Sequence, residues 1–305
     1  MNPIRARVEI AAYWSAVAVA RTLPAGALRV FGNILGSAMY RLDGRHRRIA
    51  LDNLNQAFGE TLPETEARDL VKACWRHFSN VTLGILALEK FGNEAFRRRH
   101  IVVEGAEHVR EAHARGKGVL LFSGHFGHWE LLALTHGFHF DGIPLSVVAR
   151  PLDNPLLEPL LSRIRGLSGS SVIYKRNAAR EMMRELRQGN AIGILIDQDA
   201  RGDGVFVPFF GRPASTTPSL ALLAIRTGAA VVPMACEPDG DRYRIRYEAP
   251  VEFERSEDRK EDVVRLTARC TAILEGWIRR QPSHWLWMHR RWKTEPPAKG
   301  AEENS

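Results

Sequence analysis

The chain has 305 residues, of which 45% are hydrophobic and 26% are charged. It can therefore bury a sizeable core, and global disorder is excluded. Its three cysteines are too few and too scattered for a disulfide framework or a thiolate zinc site, which fits a reducing compartment. The formal net charge of +8 predicts an anionic partner or surface.

Basic charge is concentrated at the two ends of the chain. Residues 1–50 contain eight arginines and two acids, and residues 279–293 contain five basic residues and no acid. Such blocks, interleaved with aromatic residues, suit an anionic membrane surface or a nucleic-acid groove with stacking platforms. A solvated basic face over ordinary core aromatics is the alternative. The aromatic residues concerned are Tyr13, Trp14, Phe31 and Tyr40, then Trp277, Trp285, Trp287 and Trp292.

The N-terminus raises the question of membrane association. Residues 10–20 form an unbroken run of 11 apolar and small residues, whereas a membrane span needs about 20. A longer run would include Arg21, Pro24 and Arg29, and arginines are costly in hydrocarbon. For residues 1–45 we therefore predict two short helices, broken at residues 23–26, that lie in the membrane interface. A single tilted span and a cleaved signal peptide are the alternatives.

The middle of the chain alternates between helical and extended patterns. Apolar residues recur at helical spacing over 61–90. Farther along, short apolar runs predict buried strands separated by helices. This alternation predicts an α/β fold in which helices flank a mostly parallel central sheet. The predicted strands are residues 118–122, 145–149, 172–174, 191–196 and 230–235.

The last third of the chain adds a strand, a helix and a tail. Residues 242–248 alternate in a way that is typical of a half-exposed edge strand, and a long helix follows over about 257–280. Residues 46–293 are predicted to form the main domain. The polar segment 294–305 is predicted to be disordered.

One segment, residues 123–130 with the sequence SGHFGHWE, carries candidate chemistry. It follows a predicted buried strand and opens a helix, so it lies at the carboxyl edge of the sheet, where open α/β sheets place their sites. His125 and Glu130 would not share a face of one helix. Their pairing requires His125 in the turn and Glu130 in the first helical turn, with Gly124 and Gly127 supplying the bend. A carboxylate on one imidazole nitrogen would leave the other as a general base.

Two alternatives for this segment remain open. His125 can be an ordinary loop histidine and Glu130 an ordinary acid at a helix start. His125, His128 and Glu130 can also be considered as a metal cluster, helped by His136 and His139. That pattern is not the H-E-x-x-H arrangement, and no third ligand has convincing spacing, so no metal is predicted.

The segment resembles the H-x4-D/E motif of glycerolipid acyltransferases, in the form found in the lipid A biosynthesis acyltransferase family. Other segments of that family's pattern follow in the same order and cover most of the chain, which makes the resemblance far more specific than one motif. These segments are residues 48–60, the R-P-x-x-N-P segment at 150–155, the D-Q-x segment at 197–199, the glycine- and phenylalanine-rich stretch at 204–217, and the V-P block at 232–233.

The resemblance implies transfer of an acyl chain from an acyl thioester, on acyl carrier protein or coenzyme A, to a hydroxyl of a membrane glycolipid. The attack would be direct, without an acyl-enzyme, and would need no cofactor. Residues 46–293 would be the acyltransferase domain. His125 would remove the proton of the acceptor hydroxyl, and Glu130 would orient His125 and stabilise its imidazolium.

The resemblance also implies residues that bind substrate. Arg150, together with Arg165 or Arg163, would bind phosphate or polarise the thioester carbonyl. Asp197 and Gln198 would complete the site. Backbone amides of residues 124–127 would stabilise the developing oxyanion.

The basic composition fits these implied partners. Lipid A precursors are polyanionic and acyl carrier protein is acidic, so the expected location is the cytoplasmic face of the inner membrane. Another glycolipid acceptor, such as a phosphatidylinositol mannoside, remains open. Two alternatives of other classes are a basic nucleic-acid-binding protein, although no recognised nucleic-acid motif occurs, and a metal-dependent hydrolase.

Overall fold

The computed structural model describes residues 3–150, 158–174 and 178–297. Helices and strands alternate after residue 100, as the apolar runs predict. The strands are β1 (Ile101–Glu104), β2 (Val119–Ser123), β3 (Leu145–Ala149), β4 (Ser171–Tyr174), β5 (Ala191–Leu195), β6 (Val205–Phe209), β7 (Arg212–Thr216), β8 (Ala230–Asp239) and β9 (Arg242–Tyr247). The helices are α1 (Pro3–Thr22), α2 (Ala25–Leu42), α3 (Gly44–Phe58), α4 (Glu64–Leu86), α5 (Glu94–His100), α6 (Ala106–Ala114), α7 (Trp129–His139), α8 (Glu158–Arg165), α9 (Ala178–Arg187), α10 (Ser219–Thr227) and α11 (Arg259–Arg280).

A seven-stranded sheet with the order β1-β9-β8-β2-β5-β3-β4 forms the centre of the protein. Strands β8, β2, β5, β3 and β4 are mutually parallel. Strand β9 is antiparallel to β8, and β1 is parallel to β9. The predicted mostly parallel α/β sheet flanked by helices is therefore confirmed.

Two features of the sheet differ from the prediction. Strand β9 was expected at an edge, but it pairs with β8 on one side and with β1 on the other. Its alternating pattern reflects a half-exposed face of the sheet and not an unpaired edge. The edge strand is β1, which the sequence analysis did not predict. The antiparallel hairpin β6–β7 was also missed, and it lies outside the main sheet.

Strand β2 shows how the sheet separates two helical layers. It is buried along its whole length, as an interior parallel strand should be. Because side chains alternate between the two faces of a strand, Leu120 and Phe122 join the core formed with α9, α10 and α11. Val119 and Leu121 join the core formed with α6 and α7. Helices α7 and α9 follow β2 and β4 and so begin near the carboxyl edge of the sheet.

The N-terminal helices break where the sequence predicts, since α1 ends at Thr22 and α2 begins at Ala25. Helix α2 packs closely on α4. A Cβ built at Gly36 would lie 2.5 Å from the Cα of Arg76, so only glycine allows this approach. Over the described residues, no helix has the length and apolar character needed to cross a membrane.

Three tryptophans of the basic C-terminal block lie in the core and not on a surface patch. Trp277, Trp285, Trp287 and Arg291 are fully buried. The prediction of an aromatic surface for a membrane or a nucleic acid is therefore wrong for these residues, and the alternative of ordinary core aromatics is correct. Thr294, at the start of the predicted disordered tail, donates a hydrogen bond of 3.0 Å to Asp199. Residues 298–305 of that tail lie outside the described residues.

Candidate active site

The SGHFGHWE segment forms the turn between β2 and α7, as predicted. His125 lies in the turn, and Glu130 is the second residue of α7. Gly127 makes the bend possible: its φ is +58°, and a Cβ there would lie 1.9 Å from the carbonyl oxygen of Cys236. The turn therefore presents His125 at the carboxyl edge of the sheet.

Asp197 is the hydrogen-bond partner of the His125 ring. It lies two residues after the end of β5, the strand beside β2, so the two residues meet at the same edge. His125 Nδ1 lies 2.9 Å from Asp197 Oδ1, and the backbone N–H of His125 donates to Asp197 Oδ2 at 2.6 Å. His125 Nε2 has no partner within the described chain, and 19% of the His125 side chain is exposed. The accessible nitrogen is therefore Nε2.

The electrostatics of this pair favour a charged carboxylate beside a basic imidazole. Burial opposes the charged form of His125, but the charge and hydrogen bond of Asp197, with a smaller contribution from Glu130, hold its pKa above the ordinary value. Burial would likewise raise the pKa of Asp197. The charge of His125 and the hydrogen bonds from His125 and Trp285 instead hold it at about 2.

Glu130 does not orient the His125 ring through a hydrogen bond, which corrects the predicted pairing. Its carboxylate is held by Arg165 at the end of α8: Arg165 Nη2 lies 2.7 Å from Oε1, and Nε lies 3.0 Å from Oε2. This is a two-point contact with nearly buried side chains. Glu130 thus acts on His125 through its charge, while Asp197 makes the direct contact.

Two of the four turn amides that were predicted to stabilise an oxyanion, those of His125 and Gly127, already donate within the protein. The N–H of His125 donates to Asp197, and the N–H of Gly127 donates to the carbonyl of His284 at 2.9 Å. These two donors are already used within the protein. They are therefore not available to a developing oxyanion.

The C-terminal segment that follows α11 forms the back wall of the site, which the sequence did not predict. The Trp285 indole N–H donates to Asp197 Oδ2 at 2.8 Å, in a fully buried position. Leu286 N–H donates to the carbonyl of His125 at 3.2 Å. This segment therefore holds both the backbone of His125 and the carboxylate beside it. Spacing along the sequence carries no signal for this contact, because 88 residues separate Trp285 from Asp197.

The other histidines near the motif do not form a metal centre. Among the described residues, no group of three or more His, Cys, Asp or Glu side chains is placed to hold a metal ion. His128 packs edge-on against the Tyr243 ring. Burial lowers the pKa of His128 to about 4, so it is neutral near pH 7. His136 is buried and bonds through Nε2 to the carbonyl of Ile143.

The remaining predicted substrate residues follow strand ends at the same edge. Arg150 comes directly after β3 and is exposed, and Gln198 follows Asp197 and is also exposed. The rest of the R-P-x-x-N-P segment, residues 151–157, lies outside the described residues. The structure thus brings together His125, Asp197, Glu130 and Arg165.

Comparison with known proteins identifies the family. The family model for bacterial lipid A biosynthesis acyltransferase matches residues 5–294. The chain belongs to this family. A lipid A biosynthesis acyltransferase of Haemophilus influenzae is 31% identical over 299 residues, covering 94% of this chain and 92% of that protein. The lipid A biosynthesis lauroyltransferase of Escherichia coli K12 is 30% identical over 280 residues, covering 90% and 88%.

A second group of relatives, with lower identity and coverage, is named for a different lipid. A phosphatidylinositol mannoside acyltransferase of Mycobacterium tuberculosis is 26% identical over 200 residues, covering 63% of this chain and 60% of that protein. These relatives share the acyltransferase designation with the lipid A group. The protein is therefore an acyltransferase, and the site at the β2–α7 turn is its candidate active site.

Proposed function

We propose that this acyltransferase moves a fatty acyl chain from an acyl thioester to a hydroxyl group of a lipid A precursor. The observation that carries the mechanism is the 2.9 Å hydrogen bond between His125 Nδ1 and Asp197 Oδ1. This contact places the ring N–H on Nδ1 and leaves Nε2 as the proton acceptor. The higher identity and coverage of the lipid A relatives favour this acceptor over a phosphatidylinositol mannoside.

The proposed reaction is a direct transfer. His125 Nε2 takes the proton of the acceptor hydroxyl while the hydroxyl oxygen attacks the thioester carbonyl carbon. The new C–O ester bond forms and the C–S bond breaks. The departing thiolate then takes the proton from the imidazolium, so the enzyme returns to its starting state. Asp197 stabilises the imidazolium that exists between these two proton transfers.

The Glu130–Arg165 pair supports this mechanism in a second way. The charge of Glu130 raises the pKa of His125, and Arg165 fixes the position of that charge. A guanidinium has five donor N–H groups, and Glu130 uses two of them. In the proposal, the remaining donors of Arg165, with Arg150 and Gln198, bind a phosphate of the acceptor or the thioester oxygen.

We place the enzyme at the cytoplasmic face of the inner membrane. The support is an exposed apolar stripe on α2, where Ile34 is 63% and Leu42 is 79% exposed, together with Val30 and Phe31. Exposed Arg41 and Arg45 lie at the end of this stripe. Apolar side chains beside arginines suit insertion into the headgroup region of an anionic leaflet.

A lipid extraction experiment tests the proposed function. In a strain deleted for this gene, we expect a lipid A species that is lighter by one acyl chain. The wild-type gene should restore the full mass. H125A should not restore it, because no group would accept the hydroxyl proton. Mass spectrometry of the extracted lipids measures the outcome.

The control is H113A, which changes a histidine at the end of α6, close to the amino edge of the sheet and away from the site. It should restore the lipid as the wild-type gene does, with both variants present at equal abundance by immunoblot. Unchanged lipids in the deletion strain would refute the proposed acceptor. Full restoration by H125A would refute the proposed base.

A further inference from the structure

A large groove lies on the sheet face opposite α6 and α7, away from the candidate active site. It has a volume of about 1410 Å³ and is bounded by α9, α10 and the first turns of α11. Its floor is apolar, formed by Met182, Met183, Leu223 and Val263. None of His125, Glu130, Arg165 and Asp197 lines it. We call it the basic groove, because cationic side chains surround its floor.

Six exposed cationic side chains surround this apolar floor, contributed by α9, α10 and the segment that enters α11. One acid, Asp262, lies among the lining residues, and it is buried. Its oxygens accept hydrogen bonds from the Ser256 backbone N–H and hydroxyl and from Arg265, so its charge is engaged inside the protein. The groove therefore presents positive charge to solvent. The six cations are Arg180, Arg187, Arg226, Arg255, Arg259 and Lys260.

The shape and charge of the basic groove match an acidic amphipathic helix. Such a helix places its apolar face in a groove between helices and pairs its flanking carboxylates with the rim. Leu222 and Val264 project from the groove walls, 51% and 38% exposed, and would contact the apolar face. The cations are spread over three elements around an apolar floor. This arrangement suits a row of carboxylates better than one phosphate group.

The groove reaches the same edge of the sheet as the candidate active site. Its lining residues Val205 and Ser219 lie beside Thr216, because Val205 pairs with Thr216 and α10 begins shortly after it. The Thr216 hydroxyl accepts a hydrogen bond from the buried Arg291. The charge of Arg291 interacts with Asp197. The Ser219 end of the groove is therefore connected to the candidate site through Thr216, Arg291 and Asp197.

We propose that the basic groove docks the acidic carrier protein that delivers the acyl thioester. This inference rests on the proposed function, and it names the partner that the donor requires: a protein with an acidic amphipathic helix. Long-range attraction between the groove and this helix would raise the rate of encounter. The acyl chain on the carrier's flexible arm would then approach the site along the carboxyl edge of the sheet, from the Ser219 end, because the buried Thr216 and Arg291 close the direct path.

The test compares two donors that carry the same acyl chain, one on acyl carrier protein and one on pantetheine. The variant is R226E/R259E, which reverses two charges on the rim. The matched control is R99E/R242E, which reverses two exposed arginines on α5 and β9, outside the groove. With the carrier-borne donor, R226E/R259E should raise KM by about tenfold and leave kcat within about twofold, because attraction at two exposed contacts becomes repulsion. With the pantetheine donor, its kinetics should match those of the wild type.

Ionic strength provides a second arm of the test. Salt should raise the wild-type KM for the carrier-borne donor and should raise the KM of R226E/R259E less. In the variant, two repulsive contacts offset the attraction of the four remaining cations, so screening has less net attraction to remove. Equal KM values for R226E/R259E and R99E/R242E would overturn the proposal. So would a loss of binding to phosphatidylglycerol vesicles with the carrier KM unchanged, since the groove would then bind lipid.

Direct binding separates this inference from the proposed function. Fluorescence anisotropy of labelled acyl carrier protein measures docking without any transfer. Should the wild type transfer no acyl chain from either donor, the proposed function would fail, and the anisotropy comparison of the two double variants would still decide the docking surface. Weaker carrier binding by R226E/R259E alone would support it. Equal binding by both variants would overturn it.

Discussion

Two carboxylates at the site have different partners, and this difference separates their roles. Asp197 bonds directly to His125 and is held at a pKa of about 2 by the histidine and by Trp285, against the effect of burial. Glu130 is held by Arg165 and reaches His125 only through its charge. Asp197 therefore sets the tautomer of His125, the proposed base, and the charge of Glu130 contributes to its pKa.

Replacing each carboxylate should separate these roles in the pH profile. Since the pKa of His125 is raised above 6.5, the neutral base is lost as the pH falls through this raised value, and kcat/KM should fall with it. D197N removes the charge that contributes most to raising the pKa of His125, so the acidic limb of the profile should move to lower pH. The value of kcat should drop by about 10²- to 10⁴-fold, because the ring loses its orientation. E130Q should move the limb less. Steady-state rates from pH 5 to 9 would measure both.

A larger shift in E130Q than in D197N would contradict this assignment. The outcome would show that the Glu130 carboxylate contacts His125 when substrate is bound. Circular dichroism spectra of both variants should match the wild type, which would limit the comparison to the site itself.

Trp285 offers a test of the back wall with a matched control in the same segment. W285F keeps most of the buried ring and removes the N–H that donates to Asp197. We expect the pKa of Asp197 to rise and kcat to fall by about tenfold, because one charge-assisted hydrogen bond is lost next to the base. W287F also removes a buried indole N–H, but its acceptor is the carbonyl of Pro282. Rate measurements should therefore show a loss in W285F alone.

Equal rate losses in the two tryptophan variants would mean that packing of the segment, and not the bond to Asp197, matters for catalysis. Thermal unfolding of both proteins would reveal such a shared packing effect. A rate loss confined to W285F at similar Tm values would identify Trp285 as a positioning residue.

At the scale of elements, the junction between β2 and α7 depends on one glycine. Gly127 combines a φ of +58° with a carbonyl oxygen 1.9 Å from the place of a Cβ. G127A should lower the free energy of unfolding by about 3 kcal/mol, because a left-handed alanine costs about 1–2 kcal/mol and the clash adds to it. Urea unfolding monitored by tryptophan fluorescence would give this value.

Gly142 supplies the control for that measurement. It also has a positive φ, of +76°, but nothing lies within 4 Å of its added Cβ. G142A should therefore cost only the backbone strain, about 1 kcal/mol. If G127A were no more costly than G142A, the turn would be free to shift away from Cys236, and His125 would not be fixed by it.

Elements that depend on local pattern could be predicted from the sequence, and long-range contacts could not. Strand β3 was predicted at its observed bounds, because an apolar run between helical patterns is a local signal. The placement of β9 failed because β1 was not recognised as a strand, and the pairing of Ile101 with Tyr243 is a long-range contact without a local signal. Likewise, His125 and Asp197 were both singled out, but only the order of the sheet shows that they meet.

At the scale of the whole molecule, the basic residues lie in three regions that differ in burial and in surface shape. In the C-terminal block Arg291 is fully buried beside the tryptophans, whereas Arg279, Arg280, Arg290 and Lys293 are exposed. The N-terminal arginines accompany an exposed apolar stripe on α2, whereas the groove cations surround a concave floor. A flat stripe suits a bilayer, and a concave floor suits a helix. Substitutions in the stripe should therefore weaken membrane binding alone, and substitutions in the groove should weaken carrier binding alone.

Vesicle binding should therefore depend on the stripe and not on the groove. I34E/L42E places two carboxylates on the exposed face of α2. It should weaken binding to phosphatidylethanolamine–phosphatidylglycerol vesicles, measured by sedimentation, by about tenfold or more. The reason is that two apolar side chains no longer insert and the anionic lipids repel the added charges. L222E/V264E makes the same change of charge and polarity in the groove walls, and it should bind vesicles as the wild type does. Equal losses in both variants would show that the groove also faces the bilayer, since net charge alone is matched between them. A loss in L222E/V264E only would move the membrane surface from α2 to the helices that flank the groove.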